Sequence, residues 1–242
     1  MNLNHIAKKP FWDLFYKTPC MSQMVRLAFN DAIRYNSSAA TGGANASIRF
    51  ENALKRVENT GLEFAMQQVV AMKTDGNHIT AELSLSDLIQ LGAYAALEYC
   101  EGPVINFKMG REDAEKEEVD DAALMDPTNA VRSQFTASEL SDDEIVALMG
   151  RRTLGFLPPE DEYHGKWVQN PYVFDNTYFK ELLNEKSRYI KLDDDRSLLD
   201  DPDFKRYVEV FAEDEEIFFQ TFARAFNKVS EFGQEDKLLS EI

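Results

Sequence analysis

The chain has 242 residues, 44% of them hydrophobic, enough for one large domain or two small lobes with a real core. Lys and Arg number 26 against 43 Asp and Glu, a net charge of −17 that argues against nucleic acid and anionic membrane surfaces as partners. It suits a well-solvated surface or a basic protein partner. No apolar run approaches the ~18–20 residues of a membrane span. The N-terminal residues carry no secretory or transit pattern. Two cysteines, Cys20 and Cys100, make neither a disulfide framework nor a zinc site, and His5, His78 and His164 lie too far apart to read as ligands.

In chain order, Phe11, Trp12, Phe15 and Tyr16 predict a short amphipathic helix or an arm packed on the body. After Pro19, the residues Met21, Met24, Val25, Ala28, Phe29 and Ala32 recur at helical spacing and predict a helix over about 20–35. Arg26 and Asn30, four apart, share one face of it. A loop with Gly42 and Gly43 follows, where glycine permits a tight path. A helical pattern covers about 59–74. Ser84 to Asp87 resembles a capping box and opens a helix to about Cys100, closed by Gly102-Pro103. Residues 112–121 are strongly acidic, as in a solvated loop. Ser141 to Glu144 is a second capping box, followed by the apolar stripe Ile145, Val146, Leu148 and Met149. That helix ends at Gly150 and leads into Arg151 and Arg152. Asp201-Pro202 starts another helix. Phe218, Phe219, Phe222 and Phe226 form the core face of the last, which ends near Gly233. Strand signals are sparse and no repeats appear, so the chain reads as all-α.

Several stretches carry a resemblance. Ala147 to Gly155 (Ala-Leu-Met-Gly-Arg-Arg-Thr-Leu-Gly) resembles the Ala-Leu-x-Gly-Gly-His-Thr-Leu-Gly of class I haem peroxidases, and most closely of ascorbate peroxidases. Arg26-Leu27-Ala28-Phe29-Asn30-Asp31-Ala32 is similar to the family's Arg-Leu-Ala-Trp-His-x-Ala. Thr41 to Phe50 is nearly Thr-Gly-Gly-Pro-Asn-Gly-Ser-Ile-Arg-Phe, and Asn59-Thr60-Gly61-Leu62 matches Asn-x-Gly-Leu. Met109 to Asp113 resembles Pro-Gly-Arg-Glu-Asp, Trp167 to Phe179 resembles Trp-Thr-Ser-Asn-Pro-Leu-x-Phe-Asp-Asn-Ser-Tyr-Phe, and Asp193 to Leu199 matches the segment that carries the family's proximal aspartate, here Asp195. The likeness spans about residues 15–233. It implies a haem-peroxidase fold of two helical lobes, a distal lobe over 1–133 and a proximal lobe over 134–242, around a cleft.

The same resemblance exposes departures. The iron-holding histidine is Arg152, whose guanidinium offers no lone pair. The distal histidine is Asn30, a carboxamide that does not titrate near neutrality and cannot act as general base. Phe29 replaces a tryptophan. Arg26 reads as a partly buried structural arginine, and Asn59 has lost the histidine it would support. The two cationic contacts for ascorbate fall on Thr18 and Asp161. Trp167 reads as core. Thr153, Asn170 and Asp175 match positions that hold a structural cation in the family, and Val173 could offer a carbonyl, but Val168 has replaced a threonine ligand. An Arg152–Asp195 ion pair is expected in place of the family's His–Asp pair.

These departures imply a degenerate site: a haem-free pseudoenzyme with no catalytic residues and no cofactor, the positions Arg26, Phe29, Asn30, Asn59, Arg152, Trp167 and Asp195 being vestigial. By analogy with the ascorbate-peroxidase-like protein of the plant thylakoid lumen, the expected role is an accessory subunit of a membrane complex, photosystem II-type in the chloroplast, or else mitochondrial. The alternative is a haem peroxidase using hydrogen peroxide with a non-standard iron ligand, for which His164 and Met149 are the nearest candidates.

Overall fold

The computed structural model describes residues 3–74, 78–117, 131, 135, 140–157 and 165–239. They fall into two units: Met1–Tyr99, Val104–Ala122 and Asn227–Ile242 form the first, and Cys100–Pro103 with Ala123–Phe226 the second. Helices dominate both, which agrees with the all-α peroxidase fold expected from the sequence. The expected lobe boundary near 133 lies outside the described residues.

The first unit is built on one helix that is buried all round. In chain order its helices are α1 (Leu3–Lys17), α2 (Met21–Ala32), α3 (Glu51–Leu54), α4 (Glu63–Thr74), α5 (His78–Glu82) and α6 (Leu85–Tyr99). Every residue of α6 from Ser86 to Leu97 is buried, as a helix packed on all sides requires. α1, α2 and α4 pack against it. Gly92 lets α1 approach closely: a Cβ there would stand 2.8 Å from the Phe11 ring. Of the N-terminal aromatics, Phe11 and Phe15 thus form the buried face of a full helix, and Tyr16 is exposed. Phe11 and Phe15 are inside, and the Trp12 indole N–H donates to the Ala95 carbonyl at 3.1 Å.

Two helix starts differ from the sequence expectation for local reasons. The pattern over 59–74 yields a helix only from Glu63, because Gly61 takes a positive φ of 79° and separates α4 from a 3₁₀ turn at Val57–Asn59. At the start of α6, Ser84 accepts the Asp87 N–H, but Asp87 does not reach back. The Asp113 carboxylate instead accepts from Leu85 and Ser86 (3.0 and 2.8 Å), so a distant loop supplies the cap. Asp87 is freed to bind Arg111, whose Nη1 lies 2.8 Å away with its side chain fully buried. Arg111 Nε also donates to the Ser230 carbonyl at 2.8 Å.

The second unit contains α7 (Asp142–Met149), a 3₁₀ turn at Gly150–Thr153, a two-residue antiparallel pair of β1 (Phe156–Leu157) with β2 (Gly165–Lys166), α8 (Thr177–Leu183), α9 (Asp193–Asp200) and α10 (Pro202–Glu213). It also holds most of α11 (Glu215–Glu231). The strand pair has no sequence signature, since two residues show no alternation. The Glu144 carboxylate accepts the Ser141 N–H at the start of α7, and Asp201 caps α10 ahead of Pro202. The core is a cluster of phenylalanines, with Phe174, Phe179, Phe211, Phe218 and Phe222 at ring separations from 4.7 Å (Phe174–Phe222) to 5.8 Å (Phe211–Phe218). Gly150 sits against it; a Cβ there would meet the Phe218 ring at 2.6 Å. Glycine at this position lets the turn carrying Arg152 lie directly on the aromatic core.

Replacing Arg111 by Met leaves Asp87 buried without its counter-charge. Equilibrium urea unfolding should show a loss of about 3–5 kcal/mol.

Candidate functional site

Asp195 is the centre of the second unit's polar interior. It is the third residue of α9 and is fully buried. Its Oδ2 accepts from the backbone N–H of Leu192 and from the Trp167 indole N–H, both at 2.8 Å. Its Oδ1 accepts from the Tyr178 hydroxyl at 2.6 Å and from Arg152 Nη1. The expected Arg152–Asp195 pair is therefore made. Arg152 Nη2 makes a second pair with Asp194 at 2.6 Å, which the sequence reading missed. The Arg152 guanidinium also lies 5.5 Å from the centre of the Trp167 ring. Trp167 itself is buried.

The electrostatics follow from this packing. Burial works to lower the Arg152 pKa, but Asp195 and Asp194 outweigh it and hold the guanidinium charged well above its ordinary range. For Asp194, burial opposes the charge, and Arg152 overrides it to set the pKa below the ordinary aspartate value of 3.8. Burial, then the neighbouring Asp195 charge, raise Tyr178 well above 10.0, so it stays a neutral donor. The tyrosine was visible in the sequence match but drew no role, because nothing in linear spacing links residue 178 to residue 195.

The first unit places the remaining positions. Arg26 Nη2 donates to the carbonyls of Glu58 (3.0 Å) and Thr60 (3.2 Å). Asn30 Nδ2 donates to the Glu58 carbonyl at 3.0 Å and to Asn59 Oδ1 at 2.9 Å. Asn59 is buried, and its own Nδ2 donates to the Ala53 carbonyl at 2.7 Å. In the absence of a histidine at position 30, the Asn59 oxygen accepts an N–H from the Asn30 amide. Phe29 is buried beside them in α2. Thr18 sits just past the end of α1, with its N–H on the Leu14 carbonyl. Asp161 and His164 lie outside the described residues.

Of the proposed cation positions, Thr153 and Asp175 come together, the threonine hydroxyl donating to Asp175 Oδ1 at 3.0 Å. Asn170 is exposed and accepts from the Tyr172 N–H at 3.3 Å. Val168 is buried and Val173 half-buried. Among the described residues no group of three or more His, Cys, Asp or Glu is arranged to hold a metal ion.

The residues around position 152 do not fit a haem iron ligated there. Every guanidinium nitrogen is a donor, and two of them are spent on aspartates. Asn30 has no proton-accepting nitrogen, and its amide N–H groups are directed at two oxygens.

A family profile described as Peroxidase matches residues 7–214. Among curated proteins, the chain is 41% identical to L-ascorbate peroxidase 5, peroxisomal, of Arabidopsis thaliana, over 88% of this chain and 76% of that protein. It is 38% identical to probable L-ascorbate peroxidase 3, peroxisomal, of Oryza sativa subsp. japonica, over 94% and 78%. To L-ascorbate peroxidase 2, cytosolic, of Arabidopsis thaliana, it is 36% identical over 96% and 92%.

These relatives overturn three expectations drawn from the sequence. The reading as an inactive, haem-free subunit of a complex fails, because the proteins that align along nearly the whole chain are named as enzymes. The reading as a non-enzyme fails with it. The expected absence of a cofactor loses its ground as well, since the chain lies inside a peroxidase family. The chloroplast and photosystem assignment finds no counterpart among relatives named as peroxisomal or cytosolic. No described helix is long and apolar enough to cross a membrane.

Because the Asp194 pKa falls on folding, its pairing with Arg152 contributes stability above pH 3.8 and loses it as pH drops through the lower folded value. The stability difference between the native chain and an Asp194→Asn variant should be constant from pH 5 to 8. It should shrink toward zero at more acid pH, as read by denaturant unfolding at each pH.

Proposed function

The chain belongs to the peroxidase family, in its class I, ascorbate-peroxidase-like group, and on that basis we propose that it is a haem peroxidase using hydrogen peroxide, with an iron ligand other than residue 152. Family membership along the length of the chain carries this reading; the local geometry sets its terms. Haem, when bound, supplies the iron at which peroxide is reduced. The chain's own residues supply the surroundings. Arg152 is committed to Asp194 and Asp195. Met149, one of the two alternative ligands, is buried at the end of α7, where its sulfur receives Arg151 Nη1 at 3.7 Å. A thioether ligates haem iron in other proteins. The second, His164, is a neutral imidazole donor by type.

The reductant also differs from the ascorbate anion on this reading. Neither Thr18 nor Asp161 offers a positive charge, and the net charge of −17 repels anions at long range. A neutral phenol, or a basic protein donor, suits such a surface better.

The test is reconstitution with ferric haem, followed by absorption spectroscopy and turnover with hydrogen peroxide. A Soret band is expected, together with peroxide-dependent oxidation of guaiacol at a higher kcat/KM than of ascorbate. Loss of the band in Met149→Leu or His164→Ala would identify the ligand. A protein with neither a Soret band nor peroxide-dependent turnover overturns the reading.

Asn30 limits this chemistry, because an amide cannot take the peroxide proton. Asn59 Oδ1 and the Glu58 carbonyl already stand ready to receive an N–H from residue 30. Asn30→His should therefore raise the second-order rate constant for peroxide consumption by about 10²–10⁴-fold, the usual contribution of a positioned base. Stopped-flow measurement checks it.

A further inference from the structure

The loop that follows α2 stands apart from the rest of this acidic chain. From Ala32 to Phe50 the sequence carries no Asp or Glu, while Arg34 and Arg49 are positive. The loop is closed at its base by a bridge between Asn36 and Thr41, with N···O distances of 2.8 and 3.3 Å. Asn36 Oδ1 accepts the Ser38 and Ala39 N–H groups at 3.0 and 3.1 Å, so the turn is also held from within. The four tip residues, Ser37, Ser38, Ala39 and Ala40, are small and all exposed. Gly42 then brings the chain back over Arg34: a Cβ there would stand 2.3 Å from the Arg34 carbonyl oxygen. The loop therefore presents serine hydroxyls on a fixed base, with no carboxylate of its own to repel an added phosphate.

Arg34 links this loop to the Asn30 site. Its Nη2 pairs with Glu58 Oε1, the two side chains being 21% and 28% exposed. The Glu58 carbonyl, in the Val57–Asn59 turn, is the acceptor for Asn30 Nδ2 and Arg26 Nη2. Arg56 is close enough for the Arg34 charge to add to burial in lowering its pKa, against the opposing pull of Glu58 and Glu117. Two guanidiniums thus share the neighbourhood of Glu58, which brings one negative charge where a phosphate brings nearly two. Three residues of chain span at most ~11 Å, within the joint reach of an arginine and a phosphoserine. All these groups lie in the first unit.

We infer that Ser37 is a phosphorylation site, and that its phosphate draws Arg34 away from Glu58 and so loosens the turn that holds Asn30 and Arg26. Arg34, three residues before Ser37, is also the basic residue that an Arg-x-x-Ser-directed protein kinase selects. In the transfer the Ser37 hydroxyl oxygen attacks the γ-phosphorus of ATP held by the kinase. An O–P bond forms, the bond from that phosphorus to the β,γ-bridging oxygen breaks, ADP leaves, and the hydroxyl proton passes to the kinase's base. The phosphate then offers Arg34 the stronger, two-nitrogen contact. The Val57–Asn59 turn loses its ion-pair tether to the end of α2.

The bearing of this switch on peroxide chemistry rests on the proposed haem reading. The modification and its structural readouts do not, and they are measured without haem, so failure of one is distinguishable from failure of the other. The native chain is incubated with ATP and a calmodulin-dependent protein kinase, whose acceptor motif is Arg-x-x-Ser, and the sites are mapped by mass spectrometry. A chain with phosphoserine installed at position 37 during translation is compared with Ser37→Ala by phosphorus NMR and amide hydrogen exchange. Phosphate is expected on Ser37. Its second pKa should lie below that of a phosphorylated peptide of residues 35–41 by about half a unit or more, because guanidiniums favour the dianion. The Asn59, Thr60 and Leu62 amides, which bond to Arg56, Val57 and Asn59 carbonyls, should exchange about fivefold faster than in Ser37→Ala. Absence of phosphate from Ser37, a phosphate pKa equal to the peptide's, or unchanged exchange at those three amides each overturns the inference. So does a pKa shift that persists in full when the phosphorylated chain carries Arg34→Gln.

Discussion

A single buried carboxylate organises the second unit. Asp195 is fully buried, which is tolerable only because four donors converge on it. Each donor belongs to a different segment, so the carboxylate ties the Gly150–Thr153 turn, the Trp167 segment, α8 and the entry to α9 to one point. The backbone donor from Leu192 also makes Asp195 part of its own helix's N-terminal cap. Polar satisfaction and helix initiation are here the same interaction.

Around that point the charges are arranged to hold one state. Arg152 faces two aspartates, and the acidic N-terminal turn of α9 favours those carboxylates through its exposed N–H groups. Tyr178 stays protonated because burial and the neighbouring carboxylate both oppose its ionisation. The cluster has a fixed proton inventory across the neutral range: one guanidinium, a low-pKa Asp194 and a neutral phenol. The first unit shows the same economy with neutral groups. Asn30 and Asn59 share one amide-to-oxygen hydrogen bond and give their remaining donors to backbone carbonyls. Both places use side chains that do not titrate near neutrality. Family membership and these two substitutions are compatible when peroxide chemistry is given different terms from those of a histidine-ligated, histidine-catalysed enzyme.

Much of this was legible in the chain. Helical periodicity located α2, α6, α7 and α11, because a buried stripe must recur at the helical period wherever a helix packs on a core. The Arg152–Asp195 pair was legible because both residues sit in segments matched to a known family. The aligned relatives then corrected the inference that chemistry must be absent where two familiar side chains are absent. That error took residue identity at two positions as decisive for a whole protein, although function belongs to the complete site.

The sequence by itself determined the helical class, the family and the residues that stand at positions 26, 30, 152, 167 and 195, since each depends on local pattern or on an ordered run of matched residues. It did not disclose that Asp113 caps α6, that Asp194 shares Arg152, or that Tyr178 completes the shell of Asp195. Those contacts join residues 17 to 42 positions apart, and no periodicity reports a distance between separate segments. Only the tertiary structure, by packing the Gly150 turn on the phenylalanine core and bringing three further donors to one buried carboxylate, decided that Arg152 is a donor with a fixed purpose.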